Sequence, residues 1–375
     1  MSLSFEILSQ AGAARRGRLT TPHGVIETPA FMPVGTLGAV KGLPPQQLEE
    51  LGASVMLANL YHLALRPGVE RIEALGGLHQ FSGWRGPILT DSGGYQVFSL
   101  AALRKIHENG VDFRSHVDGS AMQFTPEGVV DLQRRLGVDI AMMLDECPPW
   151  PAPRDKVEDS WERTLRWARR AREEQDRKPL PGGLFGIVQG GVFRDLRERA
   201  AQQLTELDLD GYAIGGVSVG EPDEDRYRVV EWTVPHLPQD RPRYLMGVGY
   251  PADLLQAVRC GVDLFDCVLP ARNARHGLLF TRRGPVKIKN AKYRDDPRPI
   301  EEGCSCPACT RVSRAFVHHL VRCGEITGAV LSTLHNLRHY LDFMVELRQA
   351  TASGALTEFA AELARHQAAP DSSEA

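Results

Sequence analysis

The sequence predicts a (β/α)8 TIM barrel, with a metal-binding insertion between its last strand and last helix. Three observations lead there. Eight short apolar runs recur along the chain, stretches of helical pattern separate most of them, and no Gly-rich dinucleotide fingerprint follows an early strand. Parallel strands buried on both faces read as near-continuous apolar runs, and repeated βα units of this length close into a barrel. A doubly wound open sheet is the alternative, and the missing fingerprint argues against it.

The runs are Ala30–Val34, Ser54–Ala58, Pro87–Leu89, Asp139–Leu144, Leu184–Val188, Gly211–Ile214, Arg243–Met246 and Val262–Phe265. Helical pattern follows in Pro44–Leu51, Pro126–Leu136, Arg194–Leu204 and Pro251–Val258. Between the third and fourth runs, Val111–Val117 and Ala121–Phe124 flank Asp118-Gly119, which reads as a β-hairpin inserted over about 110–125. Pro153–Lys178 reads as a long charged helix, with Val157, Trp161, Leu165 and Ala168 at helical spacing, so its tryptophans are expected to pack. After Val268 the helical pattern is lost until near Ser332, which leaves a basic, cysteine-bearing subdomain over about 270–335 within one domain spanning 1–375. The tail Pro370–Ala375 reads as disordered.

With 375 residues, 42% hydrophobic and 24% charged at net charge −3, the composition is that of a soluble globular protein with a full core. There is no apolar run of spanning length, and Met1–Glu6 lacks the layout of a signal peptide. Seven cysteines, three of them clustered, favour metal binding in a reducing compartment over a disulfide framework, so a cytoplasmic address is expected. The three stand at C-x-C-x-x-C spacing (Cys304, Cys306, Cys309), and a later imidazole completes a tetrahedron. His318, His319 and His335 all follow, and spacing alone leaves the choice among them open. From Ala271 to Arg298 there are nine Lys/Arg against Asp295 and Asp296, a candidate footprint for a phosphate backbone.

In a TIM barrel the chemistry gathers at the C-terminal ends of the strands. Those positions here hold Asp91-Ser92-Gly93-Gly94-Tyr95-Gln96, Asp145-Glu146-Cys147, Gln189-Gly190-Gly191, Gly215-Gly216, Gly247-Val248-Gly249-Tyr250 and Asp266-Cys267. An Asp after a strand often caps the next helix, but three on one rim among glycines are better explained as a ligand site. Two carboxylates suffice to divide a glycosidic substitution between nucleophile and proton carrier. A third, with Gln189, suits the edge of a guanine, and Tyr95 and Met246 suit its faces.

With these residues in place, the sequence closely resembles the bacterial tRNA-guanine transglycosylases. The matching segments span nearly the whole chain: Thr28–Thr36, Thr90–Gln96, Phe113–His116, Gly211–Gly216, Leu245–Gly249, Phe265–Pro270 and the cysteine cluster. The resemblance implies a zinc-bearing barrel that acts as a homodimer. Its activity would be exchange of guanine at wobble position 34 of tRNAs with GUN anticodons (Asp, Asn, His, Tyr) for 7-aminomethyl-7-deazaguanine, a queuosine precursor. It implies Asp266 as nucleophile and Asp91 as general acid/base. Ser92, Gly93, Gly94, Tyr95, Asp145, Cys147, Gln189, Gly216, Val217 and Met246 would bind the base. Gly247, Val248, Gly249, Tyr250, Pro251, Ala252, Asp253, Ala271, Arg272, Asn273, Ala274 and Arg275 would meet the RNA. Cys304, Cys306, Cys309 and His335 would hold one structural Zn2+. Cys147 and Val219 match the bacterial pattern for the small aminomethyl base, while Val217 and Ser218 stand where Leu and Ala are common.

Two other readings make distinct demands. A zinc nucleobase deaminase needs a metal that keeps a water and a Pro-Cys-x-x-Cys pair, whereas here four ligands fill the site and Pro307 lies inside the C-x-x-C. A non-catalytic tRNA-binding subunit is expected to lack a carboxylate at one catalytic position, and both Asp91 and Asp266 are present.

Overall fold

The computed structural model describes residues 3–94 and 104–368. Tyr95, Gln96 and the tail Pro370–Ala375 lie outside the described residues. Eight parallel strands form the barrel: Ala30–Pro33, Met56–Asn59, Ile88–Asp91, Ile140–Met142, Gly183–Val188, Gly211–Ile214, Arg243–Leu245 and Leu264–Cys267. From the second to the eighth, each pairs with its sequence neighbours, and the eighth pairs with the first through Leu264↔Ala30 to Cys267↔Pro33. A parallel bridge between Val34 and Leu57, with Gly35 N–H donating to Leu57 O at 2.7 Å, closes the ring. Seven of the strands are buried along their whole length, and the eighth is buried except at Asp266.

The helices form where the sequence offers caps and an apolar stripe. Pro126–Leu136 starts behind Thr125, whose hydroxyl accepts the Gly128 N–H, and stops at Gly137 in the left-handed conformation (φ 72°). The long helix Arg154–Arg177 buries Val157, Trp161, Leu165 and Ala168, and the indoles of Trp161 and Trp167 donate to Gln203 Oε1 and Glu108 O. The tryptophans expected to pack do so.

Three features differ from the sequence reading. A three-stranded antiparallel sheet (Ser4–Ala11, Ala14–Thr21, Gly24–Thr28) precedes the barrel and was not anticipated. Its first strand alternates exposed and half-buried residues and its middle strand carries three arginines, so neither reads as an apolar run. Arg15 reaches from it into the base of the barrel, bonding both oxygens of the buried Asp263, with carbonyls of Gln239 and Arg241 completing the fork. His23 and His79 stack at 3.6 Å between centroids, and both bond Asp139, which precedes the fourth strand.

The hairpin after the third strand is longer-looped than an Asp-Gly turn. Gly110–Arg114 pairs with Ala121–Phe124 across a six-residue loop, Ser115–Ser120, whose Ser115 and Asp118 side chains take backbone N–H groups. A third strand, Arg104–His107, joins it. Finally, helix does not wait for Ser332: Leu269–Arg275, Pro307–Arg311, Arg314–Cys323 and Ile326–Ser353 are all helical. A second small core, with Leu279, Val286, Ile288, Tyr293, Ile300, Cys306 and Val317, forms beneath the cysteines.

Candidate active site and metal centre

The C-terminal mouth of the barrel holds a cavity of about 460 Å³. Its lining includes Asp91, Ser92, Gly94, Asp145, Cys147, Gln189, Gly216, Val217, Met246, Gly247, Gly249, Tyr250, Asp253, Asp266 and Arg272 from the expected set. The three carboxylates Asp91, Asp145 and Asp266 therefore share one pocket.

Each is held differently. Asp91, last in the third strand, accepts the Leu60 N–H at 2.9 Å and the Asn59 amide. Asp145 accepts Gln189 Nε2 at 2.7 Å and Ser92 Oγ at 3.3 Å, and burial pushes its carboxyl up to about 6. Asp266 accepts the Tyr244 hydroxyl at 2.6 Å and the Gly247 N–H at 2.8 Å, both on Oδ1. Burial raises its carboxyl too, and those two donors oppose the rise. Burial also drives the Cys147 thiol to about 12, so it enters the pocket as a neutral, small apolar wall.

Asp145 with Gln189 makes an acceptor–donor edge. One hydrogen of the Gln189 amide is engaged by Asp145, while its buried Oε1 has no partner among the described residues. Gly216 (φ 63°) lies so close that a Cβ there would sit 2.2 Å from Gln189 Oε1. Gly93 (φ 76°) does not line the cavity; a Cβ there would meet Phe124 at 2.8 Å. Below the floor, the buried Arg197 donates to the carbonyls of Val188, Gly191, Gly215 and Gly216, tying the ends of strands five and six together.

The segments expected to meet RNA divide by exposure. Arg272, Tyr250 and Gly247 are exposed at the mouth. Val248 and Ala274 are buried, so their side chains face the core rather than a ligand. Arg275 is half-buried and donates to Ala271 O. In the basic stretch, Arg283, Lys287, Lys289, Lys292 and Arg294 are exposed. Arg282 pairs with Glu346 and Arg298 with Asp296, which lowers Asp296 to about 2.

Sequence reasoning missed Asn59, Tyr244, Arg226 and Glu221. Asn59 ends the second strand, and that position is the signal that would have found it. Glu221 is a buried carboxylate that accepts the N–H groups of Ser218 and Val219, with Ser218 held at φ 62° beside the pocket.

Cys304, Cys306, Cys309 and His335 come together as expected, with ligand atoms all within 4.8 Å of one another. The sulfurs lie 3.7, 3.7 and 3.3 Å from His335 Nδ1. Tetrahedral coordination with metal–sulfur and metal–nitrogen bonds of about 2.3 and 2.0 Å puts S and N about 3.5 Å apart, so the four fit a closed metal site. His335 Nε2 bonds Phe280 O at 2.8 Å, which turns Nδ1 toward the thiols. Hydrogen bonds from Cys304 and Cys309 hold Cys306 well below the usual thiol range. His318 is not part of the set: its Nδ1 bonds Ile288 O. The cysteines come from the insertion, whereas His335 sits in Ile326–Ser353, a helix that belongs to the barrel wall. Asn336 there donates to Pro270 O, Tyr340 packs on Phe31 with centroids 4.9 Å apart, and Arg348 donates to Pro29 O.

A family model described as "Queuine tRNA-ribosyltransferase" matches residues 10–369. Curated relatives carrying that name are similar over nearly their whole length. Those from Marinobacter nauticus and Aromatoleum aromaticum are 54% and 55% identical over 360 and 359 residues, covering 96% of this chain and 96% and 97% of theirs. The one from Thioalkalivibrio sulfidiphilus is 54% identical over 370 residues, 98% of this chain and 99% of its own.

Proposed function

The chain belongs to the queuine tRNA-ribosyltransferase family, and from that premise we propose that it is a tRNA-guanine transglycosylase. It exchanges guanine at position 34 of GUN-anticodon tRNAs for 7-aminomethyl-7-deazaguanine. The observation that carries this reading is the convergence of Asp266, Asp91 and the Asp145–Gln189 edge in one cavity of the barrel mouth.

The anticodon loop docks on Arg272 and the basic insertion, and the wobble nucleotide swings into the cavity. Asp145 accepts the purine N–H groups, the second Gln189 hydrogen and backbone N–H groups meet the carbonyl oxygen, and Met246 covers one face. Asp266 attacks the anomeric carbon and guanine leaves as Asp91, in its acid form, gives its proton to the departing ring nitrogen. Asp91 removes the ring proton of the incoming base, which displaces Asp266. Two displacements give net retention and ping-pong kinetics. We assign the Cys304/Cys306/Cys309/His335 centre to one zinc ion with a structural task, since four protein ligands leave no open position. We also propose a cytoplasmic homodimer; among the described residues no helix is long and apolar enough to cross a membrane. Exposed Phe316 and Ile326, on the helices Arg314–Cys323 and Ile326–Ser353, offer apolar surface for a partner subunit.

Labelled guanine is the test. The protein should incorporate it into a GUN-anticodon tRNA, and Asp266→Ala should abolish incorporation while leaving tRNA binding measurable. A deaminase or a non-catalytic subunit gives no incorporation with the unmodified chain. Incorporation by Asp266→Ala would refute the nucleophile assignment.

A further inference from the structure

Both donors to Asp266 land on the same oxygen. Tyr244 Oη and Gly247 N lie 2.6 and 2.8 Å from Oδ1, while Oδ2 has no hydrogen-bond partner among the described residues; Asp266 itself lines the cavity. A carboxylate that is free to rotate presents either oxygen; this one is fixed by a buried phenol and a backbone amide. Tyr244 is 1% exposed and lies on the seventh strand with its hydroxyl at the mouth. Burial and the charge of Asp266 keep that hydroxyl protonated, so it acts as a donor.

We propose that Tyr244 is a positioning residue that selects Oδ2 as the attacking atom and sets how readily the covalent ribosyl ester breaks. The inference rests on the nucleophile assignment above. In the first displacement an Oδ2 lone pair forms the bond to the anomeric carbon, and the bond to guanine breaks with its electron pair leaving on the base. The carboxylate charge disappears, and Oδ1 becomes the carbonyl oxygen of a neutral ester. In the second displacement the incoming base bonds to the same carbon, and the C–Oδ2 bond breaks. The pair returns to the carboxylate, whose charge is again shared with Oδ1. A hydrogen bond to the charged form is roughly twice as strong as one to the neutral form. Tyr244 therefore favours the free carboxylate over the ester and keeps the intermediate reversible. Without the hydroxyl the balance shifts toward the ester by about tenfold.

The experiment mixes the full chain with a GUN-anticodon tRNA transcript, quenches in denaturant, and measures the fraction of RNA covalently attached as unlabelled guanine is raised. Guanine reverses the ester, so the adduct falls with a defined half-point. For Tyr244→Phe, which keeps the ring, that half-point should rise about tenfold. The acid limb of kcat/KM should also move to higher pH, because a donor that lowers the Asp266 carboxyl is gone. Tyr212→Phe serves as the control: another buried strand tyrosine, whose oxygen accepts the Leu209 N–H away from the mouth. It should leave both readouts at the unmodified values. An unchanged half-point and acid limb in Tyr244→Phe, or an equal shift in Tyr212→Phe, would make Tyr244 a packing residue and overturn the inference. If the unmodified chain exchanges guanine without any adduct, the covalent route itself fails and takes this inference with it.

Discussion

Replacing Asp145 with Asn should weaken base binding and strengthen the fold, and both effects can be sized from the site. Two N–H donors on the purine edge face an ionised acceptor. Hydrogen bonds to charged groups are worth about 1.5–3 kcal/mol each, so losing both costs about 3–6 kcal/mol, roughly 10²- to 10⁴-fold in affinity. The opposite effect comes from burial. Asp145 is 6% exposed and its carboxyl is raised from 3.8 to about 6, which costs the folded state about 3 kcal/mol at neutral pH. Asn removes that cost, and its amide finds the unpartnered Gln189 Oε1. The sign follows from linkage: the raised carboxyl binds its proton more tightly when folded, so stability is fully present below about 3.8 and is lost as pH rises through about 6. Asp145→Asn should therefore melt about 3–4 °C higher than the unmodified chain at pH 7–8, with the gap closing near pH 4. Guanine affinity of the unmodified chain should be flat above about pH 6 and fall tenfold per unit below it. Calorimetric titration of the base and thermal melts across pH measure both. An Asn variant that binds guanine within threefold, or that melts lower at pH 8, would refute the reasoning.

Three further outcomes are expected. Stripping metal with a chelator, or Cys306→Ala, should expose the 276–325 segment to protease and abolish tRNA binding, while guanine binding in the barrel stays within about threefold; calorimetry and limited proteolysis separate the two. Arg15→Met leaves Asp263 charged and buried without its partner, so the chain should lose about 3–5 kcal/mol in urea unfolding. Asp139 sits below its usual range even though desolvation pushes it up, because hydrogen bonds from His79, the Ile88 N–H and His23 outweigh that. Its contribution is present at neutral pH and lost as pH falls below about 3.8, and His79→Ala should flatten that acid loss in pH-dependent melts.

The barrel was legible because strands buried on both faces leave a hydrophobic trace that needs no partner information. The ends of those traces misled in one direction. Ser54–Ala58, Pro87–Leu89 and Val262–Phe265 become Met56–Asn59, Ile88–Asp91 and Leu264–Cys267 in the fold. A reading by hydrophobicity stops at Asn59, Asp91 and Asp266, which are still strand residues but face the cavity. Asp91, Asp145, Gln189 and Asp266 were found because each follows or ends an apolar run. Tyr244 was hidden inside its run, where an aromatic reads as core, and only the structure shows its hydroxyl on Asp266. The N-terminal sheet was missed because Arg15, Arg16 and Arg18 make its middle strand look like surface, although Arg15 is buried against an aspartate more than two hundred residues away.

The metal centre draws three ligands from the insertion and the fourth from a helix that also braces the first barrel strand. In a chain made from its N-terminus, His335 arrives after every barrel strand and after all three thiols. The fourth ligand is in place only once that helix has docked, so completing the four-ligand set requires that part of the barrel wall to be closed. A fully ligated ion would then mark a docked helix, although the four ligands include none of the residues proposed for the chemistry.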